Sequence, residues 1–212
     1  GEGLSFRDAL RFQMNPQTLL GATGAEKSVT VTNGQWLEAV LTKMRHPETA
    51  PAAKPGPRFK VELRPYQQKG VAWLSFLHGL RFGMCLADDM GLGKTIVTLT
   101  SIAHLIRTQF LRAVVIVAPI RVIRLVWRQE AAKWEHTKHL KFSMVTGTKD
   151  QRTRALLRPA DVYMINYENL GWLAETLQTY FVKKDRPMPF NGIIWDEISK
   201  MKNSSTNRVK AF

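Results

Sequence analysis

The chain has 212 residues and a mass of 24.1 kDa, enough for one ordinary domain with a small appendage and too little for a large multidomain machine. Its 44% hydrophobic and 23% charged content excludes a disordered or collagen-like chain, and the lone Cys85 excludes a disulfide framework or a thiolate zinc site and fits a reducing cytoplasm. Thirty-one Lys and Arg against 17 Asp and Glu give a net charge of +14, which points to a polyanionic partner, nucleic acid first.

Half of that excess is local: residues 113–160 hold ten cations against three acids. No apolar run approaches the roughly 18 residues of a membrane span, and the N-terminus lacks the basic and apolar regions of a signal peptide. Neither a membrane partner nor secretion is expected.

From the N-terminus, periodicity predicts short helices over Ser5–Met14 and Gly34–Arg45, with a weak β-branched strand signal at Val29–Thr32 between them. Residues 46–58 carry four prolines and one glycine, a composition that resists helix and sheet and reads as a linker. The expected organisation is therefore an N-terminal accessory segment over 1–45, a Pro-rich linker over 46–58 and one larger domain over 59–212.

In that domain strand and helix alternate. The pattern predicts helix Pro65–Leu80, strand Arg81–Ala87, helix Lys94–Arg107, strand Ala113–Ala118 and helix Arg121–Trp134. It continues with strand Lys141–Thr146, helix Asp150–Leu157, strand Asp161–Asn166, helix Glu168–Phe181 and strand Gly192–Trp195. Such alternation argues for an α/β fold, a parallel sheet with helices on both faces. The strands at 113–118 and 192–195 are continuously apolar, as expected where both faces are buried.

Two motifs carry chemistry. Asp88-Asp89-Met90-Gly91-Leu92-Gly93-Lys94-Thr95 lies between a predicted strand and a predicted helix, the setting of a phosphate-binding loop. There Gly91 and Gly93 let backbone amides face phosphates, Lys94 reaches the β and γ phosphates of ATP, and Thr95 binds Mg2+. Asp88 stands where the general pattern has Gly. The second motif, Asp196-Glu197, directly follows the last strand, at the carboxyl end of a sheet where open α/β folds bind ligands. In a nucleotide site Asp196 holds Mg2+ and Glu197 polarises the attacking water; the competing reading is a helix N-cap.

With Leu63-Arg64-Pro65-Tyr66-Gln67-Gln68-Lys69-Gly70-Val71-Ala72-Trp73-Leu74 upstream of these two motifs, the chain closely resembles the first RecA-like lobe of the Swi/Snf family of superfamily 2 helicase-like ATPases. The resemblance covers roughly residues 59–212, and Asp at the start of the loop motif is usual in that family. It implies a DNA-dependent ATPase and double-stranded DNA translocase that uses ATP and Mg2+ in a bacterial or phage-infected cytoplasm. It implies adenine recognition by Gln67 with Arg64 beside it, and a nucleotide cradle of Asp89, Met90, Gly91, Leu92, Gly93, Lys94 and Thr95. Lys94, Asp196 and Glu197 become the catalytic set, with Thr95 and Asp196 on the metal. Val117-Ala118-Pro119 with the Trp127 segment resembles motif Ia, and Ile165-Asn166-Tyr167-Glu168 motif Ib, so Pro119, Asn166 and Tyr167 are expected on the DNA backbone.

Arg121, Arg124 and Arg128 share one helical stripe by their spacing and join that nucleic-acid set, while Ile123, Trp127, Ala131 and Trp134 form a core stripe. His136 and His139 are three apart with no nearby second ligand pair and read as surface residues. The family box usually continues Ala-His or similar; here it continues Ile198-Ser199, and the shorter Ser199 bears on coupling between nucleotide and DNA. The family's motif III and second lobe, with its arginine finger, are not found up to Phe212. An arginine finger is worth about 10³ to 10⁵ in turnover, so the lobe is expected to hydrolyse ATP only with a second RecA-like lobe in cis or trans and to be inactive alone. The alternative function is a non-catalytic module that binds nucleic acid or a partner through its basic region.

Overall fold

The structure, a computed structural model, describes residues 34–46, 63–89 and 91–197. The expected helix at 5–14, the strand signal at 29–32, linker residues 47–58, Met90 and Ser199 lie outside the described residues. The chain divides into two compact units, residues 1–49 and 50–212. In the first, helix α1 (Gln35–Arg45) starts after Gly34 without a capping side chain and places Lys43 and Arg45 in its last turn, where cations complement the helix dipole.

The second unit is built on helices α2 (Pro65–Gly79) and α3 (Lys94–Arg107), strand β1 (Val114–Val117), helices α4 (Ile120–Leu125) and α5 (Trp127–Ala132) and strand β2 (Phe142–Met144). Helix α6 (Lys149–Leu157), strand β3 (Val162–Ile165), helix α7 (Leu170–Leu177) and strand β4 (Gly192–Trp195) complete it. The strands form one parallel sheet in the order β2-β3-β1-β4.

The central strand β1 explains its own composition. Val114 and Ile116 face one core with Leu99 and Ile102 of α3, Ile123 of α4 and Trp127 of α5. Val115 and Val117 face the other with Leu156 of α6 and Leu170, Leu173 and Leu177 of α7. Side chains alternate across a strand, so a strand with helices on both faces has no position left for a polar residue.

Four elements differ from the sequence pattern. The run Arg81–Ala87 does not join the sheet, and Gly83, Met84, Cys85 and Ala87 are exposed. Strand β4, expected to be buried on both faces, has an outer edge that pairs with no strand among the described residues, which leaves Ile193 43% exposed. The single helix expected over 121–134 divides at Val126, whose φ of −107° and ψ of −67° end α4 and start α5. The helix expected over 168–181 is a composite of a 3-10 turn (Tyr167–Asn169), α7 and a π turn (Gln178–Val182). Among the described residues no helix is long and apolar enough to cross a membrane.

His136 also departs from expectation. It is buried, 3% exposed, and its Nε2 lies 2.9 Å from the hydroxyl of Thr100 on α3, while His139 is exposed. A three-residue His spacing carries no information on burial, and Thr100 supplies a partner that no local pattern announces. Burial and the neighbouring charge of His139 press the His136 imidazole down to about 4. The folded chain therefore binds this proton more weakly than the unfolded chain, whose His titrates near ~6.5. The site's stabilisation is complete above that value and is lost as pH falls toward 4. His136→Gln, which keeps a hydrogen-bonding group but takes up no proton, should flatten the fall in denaturation midpoint between pH 6.5 and pH 4. Urea titrations of both proteins across that window check it; equal slopes would exclude His136 as the titrating group.

Candidate functional site

The carboxyl ends of three strands are stitched into one rim. The amide of Ala118, just after β1, donates to the carbonyl of Ile165 at 3.1 Å, and the amide of Asp196, just after β4, donates to the carbonyl of Val117 at 2.9 Å. Pro119, Asn166 and the Asp196-Glu197 pair thus follow three neighbouring strands at the same end of the sheet. Helix α3 packs on β1 and its C-terminus leads to the amino end of β1 through the short segment 108–113. The N-terminus of α3, with Lys94 and Thr95, is therefore directed toward the carboxyl end, the side of the acidic pair.

That N-terminus is built to receive an anion. Gly93 caps it in a left-handed conformation with φ of 79°, no side chain caps it, and its first turn holds no acid. Its leading amides and the positive end of the helix dipole remain for a ligand. Gly91 also has a positive φ of 86°. A Cβ on Gly93 would stand 2.6 Å from Nε2 of Gln67 and 3.2 Å from Ile96, so this position needs glycine both for its φ and for its space. The Lys94 ammonium donates to the carbonyls of Asp88 at 2.7 Å and Asp89 at 2.8 Å. Thr95 follows, half-buried in the first turn of α3.

The start of α2 fastens onto this loop. Gln67 Nε2 donates to the carbonyl of Leu92 at 3.2 Å, and Gln67 Oε1 accepts the amide of Arg64 at 3.1 Å. The Tyr66 hydroxyl donates to the same Leu92 carbonyl at 3.2 Å. Arg64, Gln67, Asp89, Leu92, Gly93 and Lys94 are thereby brought together. Tyr66 was not singled out by sequence reasoning, although its place beside Gln67 on the first turn of a helix was the available signal.

The acidic pair is held from two sides. The buried Trp127 of α5 donates its indole N–H to Oδ2 of Asp196 at 3.1 Å. The Tyr167 hydroxyl donates to the backbone carbonyl of Asp196. Tyr167 is 4% exposed, and burial, together with the negative charges of Asp196 and Glu197, pushes its hydroxyl up to about 12. The hydroxyl thus remains a donor at any physiological pH. Tyr167, expected on a nucleic-acid face, is turned inward against the acidic pair. Glu197 is exposed, with a positive φ of 57°, a conformation uncommon for a residue with a side chain and frequent at functional turns. Trp127 was read as core and as part of the segment resembling motif Ia; its need for a hydrogen-bond partner when buried was the signal that it faces more than apolar atoms.

The nucleic-acid candidates separate into two groups. Asn166 is committed within its own turn, donating to Glu168 and accepting from Asn169, both at 2.6 Å, with Pro119 beside it on the rim. Arg121 and Arg124 on α4 and Arg128 on α5 are all exposed, and the bend at Val126 breaks the single stripe expected for them.

Comparison with known proteins gives these arrangements a context. Residues 66–212 match the SNF2-related domain family. YwqA of Bacillus subtilis (strain 168), which carries the name of an ATP-dependent helicase/translocase, is 29% identical over 220 residues, covering 99% of this chain and 23% of that protein. Protein p41 of Acyrthosiphon pisum secondary endosymbiont phage 1 is 34% identical over 116 residues, 54% of this chain and 24% of that one. Among solved structures, the Sulfolobus solfataricus SWI2/SNF2 ATPase core in complex with dsDNA aligns with a TM-score of 0.58 and 32% identity over 73% of this chain and 30% of that one. The sheet and its helices thus form a RecA-like lobe, and the chain spans about a quarter of the length of the two curated relatives it is compared with.

The Trp127–Asp196 contact is testable through stability. Hydrogen bonds to charged groups contribute about 1.5–3 kcal/mol, so Trp127→Phe, which keeps an aromatic ring but removes the N–H, should lower the unfolding free energy by at least about 1.5 kcal/mol. Denaturant titration at neutral pH measures it. An unchanged midpoint would show that the indole N–H gives the carboxylate nothing.

Proposed function

Because the chain belongs to the SNF2-related domain family, we propose that residues 59–212 form the ATP-binding lobe of a DNA-dependent ATPase and double-stranded DNA translocase. Hydrolysis proceeds only when a second RecA-like lobe, in cis or in trans, supplies the groups this lobe lacks; alone, the lobe is inactive. Residues 1–45 are an accessory segment and 46–58 its linker. The bacterial and phage relatives support work in a bacterial cytoplasm, on nucleoid or phage DNA.

The observation that carries this reading is the loop at α3: two glycines at positive φ, an uncapped helix N-terminus without acids, and a lysine ammonium on two backbone carbonyls. On binding ATP, Lys94 exchanges those carbonyls for β- and γ-phosphate oxygens while Asp89, Met90, Gly91, Leu92 and Gly93 line the cradle. Gln67, with Arg64 beside it, reads the adenine edge from the first turn of α2. Thr95 and Asp196 fit Mg2+, since both present the hard oxygen donors that this ion takes. Bound there, Mg2+ supplies neutralisation of charge between the β and γ phosphates. Glu197 orients and deprotonates the attacking water, and the Trp127 and Tyr167 hydrogen bonds fix the strand end from which both acids project. Pro119, Asn166 and the arginines of α4 and α5 offer contacts to the DNA backbone.

In an assembly containing the second lobe, Lys94→Ala should abolish nucleotide binding and DNA-stimulated turnover together. Glu197→Gln should keep ATP binding and lower turnover by about 10² or more, the usual contribution of a general base. Fluorescent-nucleotide titration and phosphate release measure the two effects. Near-normal turnover in Lys94→Ala would overturn the assignment, and nucleotide-independent DNA binding in both variants without turnover in the parent would favour the non-catalytic module.

A further inference from the structure

The carboxyl end of the sheet accounts for the nucleotide loop, the acidic pair, Pro119 and Asn166, yet much of the local positive charge lies elsewhere. Lys141 immediately precedes β2, and Arg158 follows α6 just ahead of β3. The amides of Asp161 and Val162 both donate to the carbonyl of Lys141, at 2.9 and 3.0 Å. This is the amino end of the sheet, opposite the acidic pair. Here Arg128, Lys138, Lys141 and Arg158 line one cavity of about 400 Å³ with the carbons of Leu140 and Phe142 among its walls.

No acidic residue lines the cavity. Of the nearby carboxylates, Glu135 lies 2.5 Å from Lys138, and Asp161 is spent on the backbone amide of Lys141 at 2.7 Å. Arg128, Lys141 and Arg158 form no ion pair among the described residues. Three cations without an ion pair, with a fourth paired to Glu135, give the cavity a positive potential that favours an anion.

We propose that this cavity is a second contact for the phosphodiester backbone of duplex nucleic acid, distinct from the contacts at the carboxyl end of the sheet. The proposal rests on the reading of the chain as a DNA-dependent motor lobe and extends it to a new surface. The chemistry of the lining selects the ligand class. Guanidinium and ammonium groups over apolar carbon recognise phosphate charge and make no base-specific pattern. A polymer suits the site better than a free anion because exposed cations are also present outside it, Arg121 and Arg124 on the preceding helix α4. The four-residue strands β1 and β3 cover about 13 Å from end to end, close to the ~12 Å width of a major groove. One duplex lying along α4 and α5 can therefore offer phosphates from one strand to the rim and from the other to the cavity.

The test is duplex affinity as a function of salt, read by fluorescence anisotropy of a labelled double-stranded DNA with the protein in its full native chain. Three proteins are compared: the parent, Lys141→Ala/Arg158→Ala, and the charge-matched Lys183→Ala/Lys184→Ala, whose exposed lysines lie outside the cavity. Each phosphate contact contributes about 0.9 to the slope of log affinity against log salt. The cavity variant should bind roughly tenfold more weakly near 50 mM salt and lose about one to two units of slope. It should keep the parent's melting temperature and its affinity for a fluorescent ATP analogue. The control should shift less than about twofold. Equal losses in cavity and control variants would reduce the effect to net charge and overturn the proposal, as would an unchanged slope in the cavity variant. A parent that binds no duplex at all would instead overturn the motor-lobe reading on which the proposal rests.

Discussion

The site depends on the burial of β1 from both sides. Four consecutive apolar residues, Val114–Val117, are all buried, so burial alone does not fix its register: a slip by one residue only exchanges which face each side chain serves. What pins its register is pairing: Val117 lies opposite Ile165 on one side and Trp195 on the other. That register decides where the strands end, and the ends decide where the chemistry stands. Pro119, Asn166 and Asp196 follow β1, β3 and β4 by one or two residues each, so a single geometric constraint carries three functional positions to one rim.

From that rim outward the restraint becomes polar. Asp196 receives an indole N–H on its carboxylate and a phenol on its carbonyl, which fixes both its side chain and its peptide plane. The next residue leaves the sheet with a φ of 57°. Such a turn stores backbone strain of order 1–3 kcal/mol, and it persists because the peptide before it is held by Tyr167. The same economy rules the phosphate loop. Positive φ at Gly91 and Gly93 and the Lys94 bonds to Asp88 and Asp89 keep the loop folded around its own carbonyls.

The sequence was legible where its signal was local. Helix α3 and strand β4 carry the same bounds in pattern and structure, Lys94–Arg107 and Gly192–Trp195, but only α3 also matches in burial: the continuous apolar run of β4 marks a strand, yet as an edge strand it leaves Ile193 exposed. Strand β2 shortened to Phe142–Met144, since its ends have neighbours on one side only. The run at 81–87 was misjudged because strand formation requires a partner, and a partner is not a property of the segment itself. The break at Val126 was invisible for a related reason: Ile123 and Trp127 both belong to the core, so their spacing fits one continuous helix and carries no mark of the interruption between them. His136 and Tyr167 share a further limit. Each is a polar side chain whose burial is made affordable by one distant partner, Thr100 for the first and Asp196 for the second, and pairings across 36 and 29 residues leave no trace in a window of sequence.

Helix α5 is where the two chemistries meet. Trp127 and Arg128 are consecutive residues on a helix of only six, with different surroundings: the indole is buried against Asp196, and Arg128 is exposed and lines the basic cavity. The indole N–H restrains the carboxylate proposed to hold Mg2+, and the next side chain lines the basic cavity. One six-residue element thus contributes to both ends of the sheet because its neighbouring side chains are of unequal length and polarity: the rigid apolar ring is held by burial, while the long guanidinium stem lets its charge remain in water.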